Sequence, residues 1–85
     1  MAKTSSRELL RRVDELMLSL IEQQQLKVLE LGRRIHPGLT DEDIRNPQDF
    51  PDLVENPVWN FEDGILAGLR SAHMALRARL LEEPS

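Results

Sequence analysis

Few side chains in this 85-residue chain have the chemistry for catalysis or metal binding, and their spacing keeps them apart. His36 and His73 are the only histidines. If the chain folds back on itself, one lies near the turn and the other midway along the returning segment. A shared metal within one chain is therefore not expected. Asp41, Glu42, Asp43, Asp49 and Asp52 offer hard oxygen ligands, but they lack the ligand spacing and central glycine of a calcium loop. Helix capping accounts for the first three, and turn formation and solubility for the others. No metal or cofactor site is expected.

A second group is basic. Lys3, Arg7 and Arg11 fall four apart on one side of a helix start, with Arg12 beside them. A returning helix would bring Arg77 and Arg79 to the same end. Such a cluster can attract an anionic partner, although Glu8, Glu15, Glu82 and Glu83 stand close enough in sequence to neutralise much of it. No aromatic side chain lies nearby for base stacking, so nucleic-acid binding is not expected. The aromatics, Phe50, Trp59 and Phe61, all fall toward the middle of the chain. There Trp59 serves either as a core anchor or, if exposed, as a hot spot for a protein partner.

The elements that must position these groups are helical. Ser5-Ser6-Arg7-Glu8 fits a capping box. Beyond it Leu10, Val13, Met17, Leu20, Ile21, Val28, Leu31 and Ile35 hold one face of an α-helix over about residues 6–35. Leu9 and Leu16 widen that face, and Leu18, Leu26 and Leu29 lie outside it. Pro37 disfavours helical geometry at His36, and Gly38 suits a left-handed exit. The connector, about 36–56, is acidic and holds four of the five prolines. Thr40-Asp41-Glu42-Asp43 predicts a short helix there, and Phe50, Leu53 and Val54 give it something to bury. A second long helix over about 57–82 begins at Asn56-Pro57 or at Asn60. Phe61, Ile65, Leu69, Ala72, Leu76 and Leu80 mark its main apolar stripe. Gly64, Gly68, Ser71, Ala75 and Ala78 form a row of small residues that admits another backbone closely.

The reading is a single all-α domain over residues 1–85: an antiparallel two-helix hairpin with a structured, proline-rich connector containing a short helix. No apolar run approaches the ~20 residues needed to cross a bilayer, and the N-terminus does not read as a signal peptide. With no cysteine for a disulfide or thiolate site, the expected location is the cytoplasm. Net charge is −4, but residues 37–63 hold eight acidic residues against Arg45 alone.

A lone hairpin leaves one side of each helix open, and these stripes are too wide for that. Pairing two hairpins into a four-helix bundle with coiled-coil-like packing is the simplest closed solution. The expected function is thus a non-enzymatic protein-interaction or adaptor module acting as a homodimer, with room for a further protein partner. Its candidate interface residues are Leu18, Gln24, Leu29, Trp59, Gly64, Gly68, Ser71 and Ala75. Gln24 stands where periodicity calls for leucine, either in a wet stretch of interface or as a register-setting amide paired across a dimer. The competing expectation is a small dimeric enzyme binding an anion between helices through Arg11, Arg12, Lys27 and His73. Leu9-Leu10-Arg11-Arg12-Val13-Asp14 resembles the opening of the first helix of all-helical chorismate mutases. Here, however, Leu10 stands at the substrate-binding arginine position and Lys27 at a later one. Since the rest of the chain shows no match, no family is assigned.

Overall fold

The computed structural model describes residues 5–81. These residues are all-helical, with four α-helices and no strand among them. α1 (Ser6–Ile35) runs thirty residues. Its start is half of the expected capping box: Ser5 Oγ accepts from the Glu8 amide at 3.0 Å. The Glu8 carboxylate turns outward instead, to Arg11 and Arg12 at 3.7 and 3.6 Å. The far end closes as expected, with the His36 amide donating to the Gly32 carbonyl and Gly38 at φ +88°.

Two single-turn helices, α2 (Asp41–Ile44) and α3 (Pro51–Val54), follow, with a 3₁₀ turn over Pro47–Asp49 between them. Thr40 and Asp43 cap α2 reciprocally, at 3.3 and 2.9 Å. α4 (Pro57–Leu76) opens on Asn56, whose side-chain oxygen accepts from the amides of Val58 and Trp59. Pro57 occupies the first turn, where its missing N–H removes no helical bond. Beyond Leu76 the chain continues as a π-helical turn over Arg77–Leu81.

α1 and α4 are the main packing pair. Asp14 meets His73, Gln24 meets Glu62, and Val28 meets Trp59, so advancing along α1 means retreating along α4. The core gathers at one end of this pair. Val28, Leu29, Leu39, Ile44, Leu53, Trp59 and Leu66 are buried, with Ile21, Leu31, Ile35 and Phe50 packed around them. Trp59 is its largest member, and its indole N–H donates to the Val28 carbonyl at 3.2 Å, so no polar atom is stranded. Gly32 makes room for it: a Cβ there would lie 2.6 Å from Leu39 Cδ2 and 3.2 Å from Trp59 Nε1.

The connector occupies one side of the α1–α4 layer. Gln25 reaches Asp41, Arg33 Nε donates to the Leu39 carbonyl at 2.7 Å, and Asn60 Nδ2 donates to the Val54 carbonyl at 2.8 Å. The molecule is a slab of 52 × 26 × 19 Å.

Candidate functional site

The stripe of α4 that seats on α1 differs from the one the large aliphatic residues mark. Trp59 and Leu66, seven apart, form its buried spine. Glu62, Asp63, Arg70 and His73 accompany them, half-buried, along the same face. Phe61, the first residue of the expected stripe, is 67% exposed, and Ile65 is 39% exposed. Polar residues can take the seam because α1 answers each with a partner, so the desolvation that would otherwise penalise them is compensated.

Three polar rungs result. Nearest the core, Gln24 Nε2 donates to the Glu62 carbonyl and carboxylate at 2.9 and 2.8 Å, and Lys27 reaches the same carboxylate at 3.3 Å. The Gln24 hydrogen bond, helped by Lys27 and opposed by burial, holds the Glu62 carboxyl below its ordinary range. Next, Arg70 donates to the Gln25 side-chain oxygen at 2.9 Å. Burial pushes the neighbouring Asp63 carboxyl up, against the attraction of Arg70. Farthest from the connector, Asp14 accepts from His73 Nε2 at 2.7 Å and lies 3.5 Å from Arg77.

With the seam taken by Trp59, Leu66 and these rungs, the large aliphatic residues are left beside it. On α1, Leu9, Val13, Leu16 and Leu20 recur at four, three and four residues. At about 3.6 residues per turn, that row sits a quarter-turn from Ile21 and Val28. On α4, Phe61, Ile65, Leu69, Ala72 and Leu76 sit a quarter-turn from Leu66 in the same rotational sense. Because the helices run oppositely, both rows come to one side of the pair, away from the connector. Near the core, Lys27, Leu31 and Arg34 of α1 line a shallow groove there with Val58 and Glu62 of α4. Leu9, Leu16, Leu20, Val58, Phe61 and Ile65 remain exposed along this bare side.

No protein-family model matches the chain, no curated protein matches it, and no solved structure matches it. What the chain can do must therefore be read from its own surface.

The structure sorts the interface residues expected from sequence. Leu18, Gly64, Gly68, Ser71 and Ala75 are exposed. The small residues of α4 lie on its back, turned from α1, with open space beside Gly64 and Gly68. Leu29 and Trp59 are instead core residues, 7% and 0% exposed, because the connector folds over them. Gln24 is half-buried and committed to Glu62 of its own chain, so the amide sets the register of α1 against α4. The capping box expected at Ser5 needed Glu8 to reach back, and arginine pairing takes that carboxylate.

The four residues of the anion-site expectation do not converge. Arg11 meets Glu15 at 2.6 Å, Arg12 meets Glu8, Lys27 meets Glu62 and His73 meets Asp14. His36 lies against Asp52 at 3.2 Å and edge-on to Phe50. Among the described residues no group of three acidic, histidine or cysteine side chains could hold a metal ion, and no helix is long and apolar enough to cross a membrane. The expectations for Lys3, Glu82 and Glu83 lie outside the described residues.

Sequence periodicity locates Leu9, Leu16, Phe61 and Ile65 as apolar, but it does not say which face of α4 seats on α1. The signal that decides it is the pairing of polar residues. Asp14, Gln24 and Gln25 on one helix find His73, Glu62 and Arg70 on the other.

Proposed function

We propose that this chain is a protein-interaction module: an antiparallel helical hairpin whose bare side closes against a second copy to form a four-helix bundle. One observation carries the reading. The connector covers one side of the α1–α4 layer, while the other side carries two adjacent apolar rows, with Leu16 61% and Phe61 67% exposed. A domain is ordinarily two or more packed layers around a core, and here a second layer is missing along half the length of the pair. Exposed apolar patches of this extent mark interaction surfaces.

A second copy is the occupant favoured because both rows are apolar and lie side by side on one face, so a two-fold axis can lay that face on its own copy.

The test is the mass of the free protein by light scattering after size exclusion. The expected result is a species of about 20 kDa, twice the chain mass, at micromolar concentration. Leu16→Glu combined with Ile65→Glu should give a folded species at the chain mass of 9.8 kDa, with unchanged helicity. A wild-type protein that elutes as a clean monomer at those concentrations refutes the reading.

A further inference from the structure

Two arrangements would cover the bare side with a second copy, and the charge distribution separates them. With the two-fold axis along the helices, both connectors lie at the same end of the bundle. With the axis across the helices, α1 of one copy lies antiparallel on α1 of the other, and the connectors lie at opposite ends. We infer that the second copy binds with its connector at the opposite end, so that each acidic connector end faces the arginine-rich free end of its partner. This inference rests on the dimer reading above.

The support is electrostatic. Within residues 37–63, Asp41, Glu42, Asp43, Asp49, Asp52, Glu55, Glu62 and Asp63 are opposed by Arg45 alone. Arg33, Arg34 and Lys27 on the adjacent turns of α1 reduce this without reversing it. The free end has the other sign among the described residues: Arg7, Arg11, Arg12, Arg77 and Arg79 against Glu8, Asp14 and Glu15. Placing both connectors at one end would set like acidic ends together on the outer sides of the bundle, a repulsion felt at low salt, where the Debye length reaches ~30 Å at 0.01 M, whereas the opposite placement sets unlike ends together.

The placement of the apolar rows is compatible with this arrangement. Leu9 and Leu76 mark their free end, and Val58 marks their connector end. Asp14–His73 and Val28–Trp59 fix the levels of the two helices relative to each other, which puts Val58 near the level of residue 29. The middle of the face then falls between Leu16 and Leu20 of α1, close to the middle of that helix. A two-fold axis across the helices at this point lays the whole face on its own copy. Leu9 comes over the partner's groove beside Leu31, and Leu16 and Leu20 pack against their own copies. The connector stays on the outer side and does not obstruct the approach.

The chain has no cysteine, so single spin labels can be placed without background. Val58→Cys and, separately, Leu9→Cys mark the two ends of the face in the full-length protein. Each labelled variant is first checked for dimer mass by light scattering. In the opposite-end arrangement the two labels of either dimer lie about 30 Å apart, from some twenty residue levels at ~1.5 Å each. In the same-end arrangement they lie within about 15 Å, the diagonal of a bundle with ~10 Å between helices. Raising salt from about 20 mM to about 500 mM should weaken dimerisation severalfold as the attraction is screened. A dimer with short distances at both positions, or one that tightens with salt, overturns the orientation and leaves the dimer standing. A wild-type monomer overturns the reading beneath it. If one label disrupts the dimer, the other position decides.

Discussion

At the connector end, Trp59 and Leu66 of α4 meet Val28 and Leu29 of α1 under a cover made by Leu39, Ile44 and Leu53. At the free end the same two helices meet through Asp14, His73 and Arg77, with Leu9, Leu16 and Leu20 exposed beside them. The first region is a closed hydrophobic core that needs no partner. The second is held by charge-assisted hydrogen bonds and leaves its apolar area outside. Burial of apolar surface stabilises the first, at roughly 25 cal/mol per Å². Asp14 and His73 are only 18% and 12% exposed, so the cost of taking them out of water offsets much of their attraction. Stability is therefore concentrated where the connector folds back, and the free end keeps the surface available for association.

The sharpest way to break this contrast is at Trp59. It is fully buried, its indole N–H reaches the Val28 carbonyl of α1, and it belongs to the same core cluster as Leu39, Ile44 and Leu53. Trp59→Ala should cost ~3–5 kcal/mol, the usual range for deleting a buried aromatic. In a domain of this size that removes most of the stability. Leu16→Ala at the free end should cost less than ~1 kcal/mol in the monomer. Urea unfolding followed by circular dichroism, at concentrations where light scattering shows the monomer, compares them, and similar losses at the two positions would show that the core is not where stability resides.

The glycines give a smaller and two-signed effect. Gly32→Ala would place a methyl group 2.6 Å from Leu39 Cδ2. Against a helix-propensity gain of about 1 kcal/mol, overpacking of ~1–3 kcal/mol should leave the variant destabilised. Gly64 and Gly68 have nothing within 4 Å of an added Cβ. Gly64→Ala and Gly68→Ala should each raise stability by ~0.5–1 kcal/mol through propensity alone. If either alanine instead weakens self-association, measured by the concentration dependence of the mass, the back of α4 is itself a contact surface.

These contrasts also show what could be read from the residues. The span of α1, the Thr40 and Asn56 caps, the left-handed Gly38 and the Pro57 helix start each follow from local backbone chemistry, which a sequence carries explicitly. The face by which α4 docks does not. Large aliphatic periodicity selects Phe61, Ile65 and Leu69, but the docked face is chosen by the volume of Trp59, the space left by Gly32, and polar partners many residues away. Leu29 illustrates the same point: it lies off the main stripe of α1 and is buried because the connector closes over it. Gln24 looked like a polar fault in an apolar face, and its reason, Glu62, is thirty-eight residues distant.

The smallest expected effect concerns the two adjacent carboxylates at the start of α4, whose environments pull in opposite directions. Gln24 and Lys27 lower the Glu62 carboxyl from 4.5, so its stabilising contribution is full above about that pH and is lost as pH falls through the lowered folded value. Burial raises the Asp63 carboxyl from 3.8, so ionising it in the folded state costs stability as pH climbs through the raised value, and the cost persists at neutral pH. Glu62→Gln should therefore lower stability at neutral pH and flatten the loss on acidification. Asp63→Asn should raise stability at neutral pH, with the gain vanishing as pH falls below about 3.8. Urea midpoints between about pH 3 and pH 7 read both slopes. If Glu62→Gln leaves the acid slope as steep as in the parent, the Gln24–Glu62–Lys27 rung contributes no linkage. The seam beyond the core would then be held by the Asp14 and Arg70 rungs alone.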